Sequence, residues 1–138
     1  MTHTQYAVQS SRAPAPVGPY SQALVAGDFV FVSGQIPLSP DSKQFDSSLP
    51  IEEQSSLVLR NIQEILKELK LDFSSLVKVE IFLTDLSEFS KVNAVYSTFF
   101  EGITTLPARV CVQVTKLPLG VDIEISCIAF RGEKHDSS

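Results

Sequence analysis

Arg109-Val110-Cys111-Val112-Gln113 alternates polar and apolar side chains. In a strand this places Arg109, Cys111 and Gln113 on one face and Val110, Val112 and Val114 on the other. A second alternating run, Val121 to Phe130, places Asp122, Glu124 and Ser126 opposite Val121, Ile123, Ile125 and Cys127. A guanidinium offers a planar fork that grips a carboxylate through two charge-assisted hydrogen bonds. A glutamate partly removed from water can serve as a general base or acid. If the two strands are neighbours, their polar sides bring together an anion clamp, a thiol and a base. A plain Arg109–Glu124 ion pair on a solvated face would use the same residues.

Three further polar side chains invite a functional reading, each with a structural alternative. Tyr20, after Gly18-Pro19, could be a core aromatic with its hydroxyl tied down. Ser33 before Gly34 could be a strand-end turn residue. Asn93 lies mid-helix and could simply face solvent. Cys111 equally reads as a small packed hydrophobe. Both histidines, His3 and His135, lie close to the chain ends, where order is usually poor. A Ser-His-Asp triad or a histidine-ligated metal is therefore not expected.

The elements that must position these residues are legible from periodicity. Residues 1–19 are polar and then proline-rich, an extended lead-in. Ser21–Ala26 and Phe29–Ile36 flank Gly27-Asp28 and read as a hairpin. The second hairpin strand is apolar at both parities, so both its faces need covering. After a loop over 37–49, Val58, Ile62, Ile65, Leu66 and Leu69 mark one face of a helix opening near Pro50. Val77–Leu83 is a strand. Asp85 and Glu88 resemble a capping box for a second helix, which buries Phe89, Val92, Tyr96 and Phe99. Two more strands follow, joined by Lys116-Leu117-Pro118-Leu119-Gly120. The order β-β-α-β-α-β-β describes an α+β sandwich with one mixed sheet and two helices on one face. The uncovered face calls for a symmetric oligomer.

The 138 residues suit a single domain over 1–138, with loose ends expected at 1–11 and 132–138. The formal charge of −5 and pI near 4.9 provide no cationic footprint for nucleic acid. A small anionic substrate would then need a local cation. Cys111 and Cys127 form no zinc pattern and read as reduced buried thiols. No run approaches the roughly 18 apolar residues of a membrane span, and Met1 to Arg12 lacks the apolar core of a secretory signal. The cytoplasm is the expected location, with the mitochondrial matrix left open.

Six segments in order carry a resemblance: 18–23 (GPYSQA), 31–37 (FVSGQIP), 77–85 (VKVEIFLTD), 92–96 (VNAVY), 107–112 (PARVCV) and 117–125 (LPLGVDIEI). Across about 12–131 the chain resembles the RidA (YjgF) family. The resemblance implies a chorismate-mutase-like α+β fold. It implies a homotrimer with a central barrel and three clefts between subunits. It implies 2-iminobutanoate/2-iminopropanoate deaminase activity without metal or organic cofactor, on substrates released by pyridoxal-phosphate dehydratases. Residue by residue, Arg109 matches the substrate-carboxylate clamp and Glu124 the carboxylate holding the attacking water. Cys111 matches a site residue acting more through its backbone than its thiol. Tyr20, Ser33 and Asn93 match pocket-lining positions, and Gly34 a close backbone approach beside the ligand. Two positions depart from the pattern. Val110 replaces a small polar residue, and Ser126 a second glutamate whose loss could alter the Glu124 pKa. Endoribonuclease or translation-inhibitor action and non-catalytic ligand binding or chaperoning are the competing readings.

Overall fold

The computed structural model describes residues 5–132; His3 and His135 lie outside this range. One six-stranded sheet runs β1-β2-β3-β6-β4-β5, antiparallel except for the parallel pair β4 and β5. The strands are β1 (Gln5–Val8), β2 (Ala23–Ala26), β3 (Phe29–Gln35), β4 (Leu76–Leu83), β5 (Ala108–Gln113) and β6 (Ile123–Phe130). The helices are α1 (Ile51–Lys67) and α2 (Phe89–Phe99), and together with the sheet they make the expected α+β arrangement. No helix among the described residues is long and apolar enough to cross a membrane.

The hairpin β2–β3 closes at Gly27, whose φ of 62° glycine adopts without steric cost. Strand β1 had no counterpart in the sequence reading, because Gln5–Val8 carries only one complete alternation. Pairing with β2 places Tyr6 opposite Val25. Arg131, just past β6, clasps this corner: its Nε donates to the Gly27 carbonyl at 3.0 Å, and an Nη donates to the Tyr6 hydroxyl at 3.1 Å.

Helix α1 forms where the apolar stripe predicts it. Val58, Ile62, Ile65 and Leu66 are buried, while Leu69 falls just beyond the helix. Glu52 and Glu53 in the first turn and Lys67 in the last suit the helix dipole. The stripe packs on Val30, Val32, Ile81 and Ile125 of the sheet, and burying each such side chain is worth about 1.5–3 kcal/mol.

Helix α2 departs from expectation at its start. Asp85 makes no box with Glu88. Its carboxylate accepts from the Ser87 amide at 3.0 Å and the Ser87 hydroxyl at 2.7 Å, capping a 3-10 turn over Leu86–Glu88. The α-helix begins at Phe89, and Phe89 is not a core residue: it stays 39% exposed. Val92 and Tyr96 are buried as expected, and Phe99 packs against the core edge.

The sheet has a covered face and an open one. Val79, Ile81, Ile123, Ile125 and Cys127 point toward the helices and are buried. On the other face Phe29, Phe31, Val110 and Val112 are each about 40% exposed. Phe29 meets Phe130 there edge to face, with ring centroids 5.4 Å apart.

A candidate active site in two halves

The first half lies where the proline-rich lead-in meets β3 and β6. Gln22, almost wholly buried, pins the lead-in: its amide nitrogen donates to the carbonyls of Ser10, Ala13 and Pro14, and its oxygen accepts from the Ser10 amide. Ser33 ties β3 to the same segment, donating its hydroxyl to the Ser21 carbonyl at 2.6 Å and its amide to the Gln22 carbonyl at 2.9 Å. Beyond this anchor the chain turns at Gly18, and the Tyr20 hydroxyl accepts from the Val17 amide at 3.3 Å. Tyr20 is therefore an exposed rim residue, not a core aromatic. Between rim and strands lies a cleft of about 360 Å³, lined by Val17, Tyr20, Ser33, Gly34, Ile36, Pro118 and Glu124. The Glu124 carboxyl is half-buried, and that burial holds its pKa above the ordinary glutamate value. The open face carries a second carboxylate near by: Glu80 on β4 stands opposite Ser126, whose hydroxyl donates to it at 2.9 Å.

The second half lies on the helix side of edge strand β5. Register with β4 pairs Val79 with Arg109 and Ile81 with Cys111. Both β4 side chains point to the helices, so Arg109 and Cys111 do too. The Arg109 guanidinium carbon sits 4.7 Å from the Tyr96 ring centroid and 5.6 Å from that of Phe89. Such stacking orients a cation while leaving its N–H fork free to bind. Asn93 is four residues after Phe89 and three before Tyr96, so it shares their face of α2. Among the described residues no carboxylate pairs with Arg109. The Cys111 thiol packs against the core edge. Burial pushes its pKa up, against the opposing pull of Arg109, so this is no activated thiolate. Cys127 is more deeply buried, pushed up to about 12. Among the described residues no three His, Cys, Asp or Glu side chains gather as a metal site.

These two halves do not meet within one chain, which corrects the expectation of neighbouring strands with a shared polar face. Strand β4 separates β5 from β6. Phe82, which pairs with Glu124, looks to the open face, whereas Val79, which pairs with Arg109, looks to the helices. An intrachain Arg109–Glu124 ion pair is excluded on the same ground. The structure thus groups Tyr20, Ser33, Gly34 and Glu124 in one place, and Arg109, Cys111 and Asn93 in another.

A model of the family described as Endoribonuclease L-PSP matches residues 10–131. The chain belongs to this family, the RidA/YjgF family. Among its RidA/YjgF relatives is the Arabidopsis thaliana "Reactive Intermediate Deaminase A, chloroplastic", 46% identical over 88% of this chain and 64% of its own length. The Mus musculus "2-iminobutanoate/2-iminopropanoate deaminase" is 41% identical over 91% of this chain and 90% of its own. Of the solved RidA/YjgF structures, E. coli TdcF with bound serine superposes with a TM-score of 0.85 at 38% identity, covering 92% of this chain and 99% of that one.

Several residues at the two halves escaped the sequence reading. Val17, Ile36 and Pro118 give the cleft its apolar wall. Phe89 and Tyr96 hold Arg109, Tyr96 while remaining part of the core and Phe89 from outside it. Their spacing of seven residues on one helix face was the available signal, but it does not distinguish an aromatic in the core from one beneath a cation.

Proposed function

We propose that this RidA-family chain hydrolyses small 2-imino acids, and their enamine tautomers, to 2-keto acids and ammonia. The observation that carries the reading is the pairing of two incomplete halves: a burial-tuned Glu124 over a small cleft, and, on the opposite face of the sheet, a stacked Arg109 with no carboxylate partner among the described residues. A neighbouring copy can bring its Arg109 to the cleft that contains Glu124. The exposed apolar face supplies a surface for such assembly, and we infer a homotrimer with a site between each pair of subunits. The names of the mouse and Arabidopsis relatives support the same chemistry.

In this reading Arg109 fixes the substrate carboxylate with two charge-assisted hydrogen bonds. The C=N carbon is already electrophilic, so the site has only to place water and move protons. Glu124 holds a water against that carbon and takes its proton as the C–O bond forms and the C=N π pair moves to nitrogen. Glu124 passes that proton to nitrogen and then carries the carbinolamine's hydroxyl proton to nitrogen as well, so that the C–N bond breaks to release ammonia as the C=O bond forms. The backbone beside Cys111 helps seat the water; Tyr20, Ser33, Gly34 and Asn93 close the pocket. A reducing location such as the cytoplasm suits the two free thiols.

A coupled assay tests this. A pyridoxal-phosphate dehydratase releases the imine from serine, and keto-acid formation is followed with and without the protein. Acceleration by wild type and none by Arg109→Ala is the expected result. A correctly assembled wild type that does not accelerate hydrolysis overturns the reading. RNA cleavage lost with the same substitution would favour the endoribonuclease reading, which the net charge of −5 disfavours.

A further inference from the structure

The strand that carries Ser33 and Gly34 is irregular at those two residues. Val32 pairs with Cys127 and Gln35 with Ile125, so two residues of β3 stand opposite Ser126 alone. A bulge of this kind bends the strand and re-aims what it carries. Here it brings the Gly34 backbone under the side chain of Glu124. A Cβ placed on Gly34 would lie 2.7 Å from the Glu124 carboxyl carbon and 3.0 Å from its Cγ, and closer still to one carboxylate oxygen. Non-bonded carbon atoms settle at about 3.5–4.0 Å. The three nearest atoms to that position all belong to Glu124. The φ of Gly34 lies outside the left-handed region, unlike that of Gly27, Gly102 and Gly120. The backbone there would therefore accept any residue; the carboxylate would not.

We propose that Gly34 is a positioning residue for Glu124, leaving vacant the space in which the carboxylate lies against β3. The proposal builds on the role given to Glu124 above and adds what sets its place. A methyl group at 34 meets the far end of a flexible side chain, so the protein folds and the carboxylate swings out into the cleft. The attacking water then loses its holder, while the Arg109 clamp on the neighbouring copy is untouched.

The test is a double-mutant cycle on the assembled protein, with Gly34→Ala made in wild type and in Glu124→Ala. Thermal stability is read first, because it needs no activity. Gly34→Ala lowers Tm in wild type and lowers it by less in Glu124→Ala, where the three atoms nearest the methyl group are gone. The Glu124 carboxyl is then titrated by carbon NMR, and its pKa moves in Gly34→Ala toward the ordinary glutamate value. In the coupled assay kcat falls roughly 10- to 100-fold. An equal loss of Tm in both backgrounds, or an unmoved Glu124 titration, overturns the proposal. If Gly34→Ala fails to fold, the double variant decides: folding supports the proposal and failure overturns it. A wild type inactive on imines would refute the proposed reaction yet leave the cycle and the titration to judge Gly34.

Discussion

Arg109 and Glu124 occupy opposite faces of one sheet, on strands separated by β4. No rotamer change within a chain can bring the guanidinium to the carboxylate, because the sheet itself lies between them. If both serve one reaction, they come from different copies.

Subunit mixing therefore gives a sharp outcome. Arg109→Ala and Glu124→Gln are each expected to abolish imine hydrolysis while keeping the assembly intact. Unfolded together and refolded as mixed oligomers, they regain about a quarter of wild-type activity, since one interface in four then holds both native residues. Recovery absent from demonstrably mixed oligomers would show that Arg109 and Glu124 do not share a site between subunits.

Glu124 should also weaken the fold it serves. Its folded pKa is raised by burial. A raised pKa means the folded chain binds this proton more tightly than the unfolded chain does. Its contribution to stability is thus fully present below the unfolded value and is lost as pH rises through the folded one. Glu124→Gln is expected to raise Tm at neutral pH, with the gap closing as pH falls below the ordinary glutamate value. Activity runs the other way in wild type, rising with pH as the carboxyl ionises. Calorimetry of both proteins across pH checks the first statement and a pH–rate profile the second.

Cys111 is expected to be dispensable as a thiol. Its raised pKa leaves little thiolate at neutral pH. Cys111→Ser should keep kcat within a few-fold of wild type, because the backbone it shares with the site remains. Disulfide reagents should react slowly near pH 7 and faster as pH rises above the ordinary thiol range. Rapid labelling at pH 7 would contradict this.

Gln54 anchors the entrance to β6. Its amide donates to the Leu49 carbonyl at 2.9 Å and to the Asp122 carboxylate at 2.8 Å, and its oxygen accepts from the Asp122 amide at 3.1 Å. Gln54→Leu removes these three hydrogen bonds from an exposed Asp122 and a half-buried Leu49, where water replaces them in part, and should cost about 0.5–1.5 kcal/mol. Denaturant unfolding would measure it, with the loss falling on the segment that leads into Glu124.

The sequence made some of this architecture plain and concealed the rest for identifiable reasons. Val58, Ile62, Ile65 and Leu66 repeat at the helical period, and that stripe is buried. Gly27-Asp28 marks a turn by its chemistry, and the hairpin is there. Alternation, however, reports only that two sides of a strand differ. In β5 the apolar side, Val110 and Val112, faces outward in the single chain, while Arg109 and Cys111 lie toward the helices. A chain that expects company inverts the usual rule. Strand order was equally hidden: nothing in 109–114 or 121–130 announces that β4 will lie between them. Phe89 fits the helical stripe as well as Val92 does, yet the 3-10 turn before it leaves its ring out beside Arg109.

The Arg131 clasp has a topological consequence. Gln5 pairs with Ala26, and Phe130 pairs with Phe29, so the two ends of the described chain meet at the β2–β3 turn. Gly34 and Glu124 sit toward the far end of the same strands. A short linker joining the two ends would close the polypeptide into a ring, and the ring could be reopened in the exposed stretch around Pro40–Ser42. Such a circular permutant would retain the sheet while altering the order in which its strands leave the ribosome, with β1, β2 and β3 arriving last.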